Sequence, residues 1–152
     1  MHKPQEPRNG GATETRERPW LLSVALIAFF ATATALVGTA LHRSGVDADL
    51  PWGLCLAYLL IGWSAAFARQ RLAMIGVGFH LVVSGLVIWI LATTSGAAGS
   101  VLVPVGSAAF TTFFSLRAGY FWLFGSTIVQ ILAMFLPKRW FKRGNPAAVH
   151  GE

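Results

Sequence analysis

The stretch WGLCLAYLLIGWSAAFA (52–68), RQR (69–71), LAMIGVGFHLVVSGLVIWIL (72–91) decides the fold. Each flanking run is close to the roughly 20 apolar residues that a helix needs to cross a bilayer at about 1.5 Å per residue. Hydrocarbon offers no water to backbone N–H and C=O groups, so both runs are predicted as helices. Three residues cannot cross back, which makes the pair an antiparallel hairpin. Arg69 and Arg71 at its tip are expected to stay in the cytoplasm, the side on which basic residues are retained.

Working outward, Trp20–Leu41 and Ala118–Leu136 read as two further spans. The expectation is an all-α polytopic membrane protein with four transmembrane helices. They would form an antiparallel N-in/C-in bundle in the plasma (cytoplasmic) membrane, with spans at about 20–41, 52–68, 72–91 and 118–136 inside a domain over 19–140. The bulk numbers agree. The chain has 152 residues, of which 55% are hydrophobic and 12% charged, and its mean hydropathy of +0.59 is too high for an ordinary soluble domain.

The net charge of +6 and a pI near 10.5 raise the question of nucleic acid, and position answers it. Lys3, Arg8, Arg16 and Arg18 precede the first span, Arg69 and Arg71 form the hairpin tip, and Lys138, Arg139, Lys142 and Arg143 come after the last span. Only Arg43 and Arg117 fall on the other side, where Asp47 and Asp49 match them in number. The basic balance is therefore a positive-inside topology signal, and no nucleic-acid partner is expected.

Residues 1–18 mix Pro, Gly and both charge signs without apolar periodicity and are expected to be a disordered cytoplasmic tail. The first span has small residues at Gly38-Thr39-Ala40, as a signal-peptide cleavage site would. Its apolar run is longer than a 7–15-residue signal core, however, and glutamates lie among the leading arginines, so a retained span is expected. His42–Pro51 is an external loop whose Asp47 and Asp49 suit the start of the next helix, with Pro51 in its first turn. One His and two Asp in such a loop are a weak metal signal, and no metal or other cofactor is expected. The single cysteine, Cys55, excludes an intramolecular disulfide and reads as a small buried hydrophobe.

The segment 92–117 is the irregular one. Thr93-Thr94-Ser95-Gly96-Ala97-Ala98-Gly99-Ser100 reads as a helix break, and Pro104 interrupts the apolar run after it. The segment is too apolar for a free aqueous loop, so it is expected at the external interface or dipping into the bundle where protein covers its backbone. Phe110, Phe113 and Phe114 have the spacing of a membrane-facing stripe on a short interfacial helix. In the last span Tyr120 and Trp122 sit near the outer end and Trp140 near the inner one, as an aromatic belt would place them. Over 141–152 the chain is a basic cytoplasmic tail. Lys138, Arg139, Trp140, Lys142 and Arg143 suit contact with anionic lipid headgroups, at about 1 kcal/mol per basic residue.

Inside the spans, His80 is the deep titratable side chain. At the ninth position of its run it lies near mid-bilayer, with Gly76 and Ser84 on its own face. The same depth count brings Thr32, Thr34 and Ser64 near the midplane and Gln130 somewhat toward the cytoplasm. A polar layer of His80, Gln130, Ser64, Thr32 and Thr34 is therefore expected. It would act either as interhelical hydrogen bonding or as a proton or ligand site. Small pairs at Thr34/Gly38 and Gly62/Ala66, with Gly76-Val77-Gly78, suit close helix packing. The chain contains no HExxH, GxxxxGK[ST] or GxSxG motif and no pair of intramembrane carboxylates, so an enzyme is not expected.

Three short segments carry a family resemblance: PWG (51–53), SGAAGSVLVP (95–104) and LRAGYFWLFGS (116–126). Over its last two-thirds the chain resembles an uncharacterised family of small four-span actinobacterial membrane proteins, a domain of unknown function. Some of these are encoded near mycothiol-synthesis genes. The resemblance implies that the external connection is the shared feature, and it supplies no catalytic residues. The chain is also similar to small multidrug transporters in size and span count, but Trp20–Leu41 lacks the membrane-embedded glutamate of that group. These readings lead to an accessory or interaction subunit of a membrane complex, in contact with lipid and with a membrane-protein partner or further copies of itself. The alternative is a small transport or permeation module working through the layer around His80.

Overall fold

The computed structural model describes residues 14–94 and 111–137, with side chains from Pro19 onward. Three helices make up these parts: α1 (Glu14–Leu41), α2 (Trp52–Thr93) and α3 (Phe113–Phe135). A short 3-10 turn over Val46–Ala48 lies between α1 and α2. All three helices are long and apolar enough to cross a membrane. The tail residues 138–152, the connection 95–110 and the first thirteen residues lie outside the described parts. With them go Phe110 and the headgroup set Lys138, Arg139, Trp140, Lys142 and Arg143.

Most side chains are sorted by size, with Trp122, Ile27 and Ile61 as large buried exceptions. Small residues fill the interior, among them Ala31, Ala35, Ala57, Ala65, Ala68, Ala118 and Ala133, whereas Phe29, Leu59, Trp63, Ile75, Trp89, Phe124 and Phe135 point outward. In water this would be an extended apolar surface prone to association. In a bilayer it is the expected arrangement, because lipid solvates large side chains and small ones let helix backbones approach.

The hairpin is present, but its turn is displaced. Helical structure runs through Arg69-Gln70-Arg71, and the backbone leaves the helical region at Leu72 (φ −131°, ψ 23°) and Ala73 (φ 52°, ψ −137°). The two inner segments thus belong to one helical element folded in half, with arms over 52–71 and 74–93. Each arm has roughly 20 residues, about 30 Å of helix. Gly76 makes the fold-back possible, since a Cβ there would run into the carbonyl of Ala68. Ala65 and Val77 pack together just beyond the turn, with Ala133 of α3.

Several boundaries differ from expectation for local reasons. α1 starts at Glu14, within the stretch read as a disordered tail. α3 starts at Phe113, so Phe113 and Phe114 form its first turn and not a separate interfacial helix. Thr112 sets that start with a capping box: its hydroxyl accepts from Ser115 N–H and the Ser115 hydroxyl accepts from Thr112 N–H, each at 3.1 Å. The Thr112 hydroxyl also donates to the Val46 carbonyl at 2.7 Å, and Phe114 N–H approaches Asp49 Oδ1 at 3.4 Å. Asp49 therefore serves the start of α3, while α2 begins at Pro51 without a side-chain cap. Cys55 is exposed, not buried, on the outward side of its arm.

Candidate functional site

The buried polar groups form two layers. The deeper one joins both arms of α2 to α3. Ser64 Oγ lies 2.7 Å from His80 Nε2, and His80 Nδ1 lies 2.7 Å from Gln130 Oε1. Ser84 donates to the same amide oxygen at 3.0 Å, and Gln130 Nε2 donates to the Ser126 carbonyl at 3.2 Å. All five residues are buried, His80 and Ser84 completely.

The chemistry of these partners assigns the protons. An amide oxygen only accepts, so His80 Nδ1 carries the hydrogen and donates it to Gln130. Nε2 is then the acceptor, and the Ser64 hydroxyl donates to it. Both ring nitrogens are thus satisfied in the neutral imidazole. The Gln130 oxygen receives from His80 on one side and Ser84 on the other, so the chain of donors converges there and goes no further. Such a cluster ties both arms of α2 to α3.

Of the residues expected in one layer, the structure brings together His80, Gln130 and Ser64 and adds Ser84 and Ser126. Thr34 turns away and bonds its own helix, to the carbonyls of Phe30 at 2.7 Å and Ala31 at 3.3 Å. Thr32 is half-buried on α1 and makes no bond to the cluster. Depth along a helix is readable by counting residues, but the direction a side chain takes around the axis depends on packing. α1 lies against the first arm, with Phe30 edge-on to Phe67 at 5.1 Å.

The second layer surrounds Trp122, which was expected in an exposed aromatic belt and is instead wholly buried, while Tyr120 stays 49% exposed. Trp122 Nε1 donates to Thr39 Oγ1 at 3.0 Å. The rings of His42 and Tyr58 both stack on it, at 6.2 and 6.1 Å between centroids. Gly38 and Gly125 make the room: a Cβ on the first would strike the indole, and on the second the Tyr58 hydroxyl. Tyr58 uses that space to donate to the Phe121 carbonyl. The sequence carried one usable signal for this layer, the Gly38-Thr39 pair on α1. The close fit of an aromatic ring against it needs three-dimensional packing to see.

His42 is 1% exposed. Its Nδ1 donates to the Thr39 carbonyl, which leaves Nε2 as the bare acceptor nitrogen. Among the described residues nothing donates to that buried Nε2. Burial lowers the His42 pKa below its ordinary 6.5; the Thr39 bond opposes the shift and the Arg43 charge adds to it.

At the opposite end, the Arg69 guanidinium donates to the carbonyls of Ala133, at 2.8 Å, and Met134. These are last-turn carbonyls of α3, which lack helical partners and carry the negative end of the helix dipole. The hairpin tip is thereby tied to α3. Among the described residues no group of three or more His, Cys, Asp or Glu is placed to hold a metal ion. Comparison of the chain with family models, with curated proteins and with solved structures gave no match.

Proposed function

We propose that this chain is a small accessory or interaction subunit of a membrane complex. In this reading it crosses the plasma membrane four times, through α1, the two arms of α2 and α3, with both termini in the cytoplasm. It stands with the uncharacterised actinobacterial four-span proteins it resembles, and it is not an enzyme. The basic residues of the tails and of the hairpin tip support the orientation, and the basic-aromatic segment after α3 suits anionic lipid.

One observation carries the proposal. The intramembrane polar cluster is closed on itself, with His80 satisfied at both nitrogens by groups of this chain. Its polar atoms stabilise the fold, which leaves the outer surface as the working part. Gly78 and Gly85 support this, since a Cβ at either would meet nothing. Seven residues apart on one arm, they leave a low strip that a neighbouring helix can approach closely. Gly38, Gly76 and Gly125, by contrast, are filled by the chain's own atoms.

A transport module using His80 is the weaker reading, because the donor chain stops at the Gln130 oxygen and includes no carboxylate, the group that usually accompanies intramembrane proton relays. Native mass spectrometry after gentle extraction from the source membrane tests the proposal. A reproducible membrane-protein partner or homo-oligomer is expected. A stable monomer that retains no protein partner would count against it, and loss of flux in His80→Ala with folding preserved would favour transport instead.

A further inference from the structure

The loop at the His42 end bonds mostly to its own backbone, with Gly53 N–H of α2 donating to the Ser44 carbonyl at 3.2 Å. The buried His42 Nε2 is left without a partner among the described residues. The loop over 42–51 is tied to α3 by Thr112 Oγ1 donating to the Val46 carbonyl and by Phe114 N–H approaching Asp49. It is tied to the bundle interior by His42, whose ring lies buried on Trp122. Gly45 (φ 83°) and Asp49 (φ 59°) bend the loop tightly around Val46, which is wholly buried. His42 is thus the buried polar ring of this seat, beside the apolar anchor Val46 in the same core cluster as Trp122.

A neutral His42 fits this seat, with Nδ1–H bonded to the Thr39 carbonyl. A proton added at Nε2 would create a buried N–H with no acceptor among the described residues, next in the chain to the Arg43 cation. Burying such a group is costly. We propose that this end of the protein is a proton-operated latch, in which protonation of His42 drives the ring off Trp122 and frees the 42–51 loop from α3.

The surrounding charges agree. No carboxylate forms an ion pair with His42 among the described residues. On its own loop Asp47 is exposed and Asp49 is engaged with α3. From α3 it meets the neutral Trp122, while the Arg117 guanidinium sits 4.4 Å over the Phe113 ring. From α2, Tyr58 is the titratable ring in the same stack, and a phenol stays neutral where imidazole titrates.

The sign comes from the lowered pKa of the buried ring. The unlatched ring binds protons more readily than the seated one, so the latch is closed above the ordinary imidazole value and weakens as pH falls below it. Hydrogen exchange of the 42–51 segment, corrected for the intrinsic rate, tests this on the full chain in detergent micelles at about pH 7.5 and about pH 5. Bulk pH reaches both ends of a micelle-held protein, so the outcome does not depend on the proposed orientation or partners. A several-fold loss of protection on acidification is expected in the wild type and none in His42→Phe, which keeps a ring on Trp122 and leaves His2, His80 and His150 in place. Equal protection at the two pH values, or the same loss in His42→Phe, overturns the latch. Should that variant fail to fold, ring-labelled wild-type protein decides by NMR. Loop amides that shift together with the His42 ring are expected, and a ring that titrates while the loop stays still overturns the proposal.

Discussion

Ser64 and His80 stand 16 residues apart in the chain and 2.7 Å apart in space. On an uninterrupted helix they would be separated by about 24 Å, so this single hydrogen bond records the fold-back of α2. His80 continues the link to Gln130 and so fastens both arms to α3. Replacing His80 with alanine removes two hydrogen bonds and a buried ring, and is expected to destabilise the protein by about 1–3 kcal/mol; intramembrane hydrogen bonds average about 0.6 kcal/mol and the cavity adds to them. Ser64→Ala should cost less than His80→Ala. Unfolding in mixed micelles measures both, and wild-type stability in His80→Ala would show that the clasp has no structural role.

The turn that permits this bond is strained at a single residue. Ala73 adopts φ 52°, ψ −137°, a region that suits glycine because it has no Cβ. Ala73 is exposed, so a substitution there disturbs little else. Ala73→Gly is expected to stabilise the hairpin by about 1 kcal/mol, since the relieved strain outweighs the added freedom of the unfolded chain. Ala73→Val should destabilise it. The same unfolding measurement applies, and a loss of stability in Ala73→Gly would mean that the turn is not strained.

Those two positions also mark how much was legible in the sequence. The hairpin could be read from two apolar runs and a short charged interruption, and three of the polar residues that meet could be matched by depth. The turn was misplaced because Arg, Gln and Arg are good helix formers, and neither Gly nor Pro marks Leu72-Ala73. The threonines of α1 were included because residue counting gives height in the bilayer and not direction around the axis. Trp122 was assigned to the interface by residue type, whereas Gly38 and Gly125 hollow out a place for it and for Tyr58 in the interior.

Glycine substitutions should separate internal packing from open surface. A Cβ at Gly38 collides with the Trp122 indole, which is itself held by Thr39, so the ring cannot yield cheaply. Gly38→Ala is expected to cost about 1–3 kcal/mol, the usual range for overpacking. At Gly85 a Cβ meets nothing, and Gly85→Ala should be neutral or gain up to about 1 kcal/mol from helix propensity. Under the proposed interaction role, Gly85→Leu should fold normally and lose its partner in native mass spectrometry. Retention of the partner in that variant would move the contact surface elsewhere.

Arg69 offers a test at the opposite end. Its guanidinium supplies donors to the last carbonyls of α3, and a glutamine reaches less far and carries no charge to oppose the helix dipole. Arg69→Gln is expected to fray the final turn of α3, seen as faster amide exchange near Ala133–Phe135, with a cost of about 1 kcal/mol. Unchanged exchange there would show that the last turn holds without the cap.

The proposed orientation makes its own prediction, because the ends of the α2 arms differ in charge and in what holds them. The tip carries Arg69 and Arg71 with the exposed Gln70 between them, and the opposite end carries the exposed Asp47 and Asp49. Four crossings with both termini in the cytoplasm put Gln70 inside and Asp47 outside. In a Cys55→Ser background, a membrane-impermeant maleimide applied to intact cells should therefore label Asp47→Cys and spare Gln70→Cys until the membrane is opened. The reverse pattern would invert the protein. Labelling of both positions from one side would mean that the arm over 52–71 does not cross, since its roughly 30 Å length would then lie along the membrane and not through it.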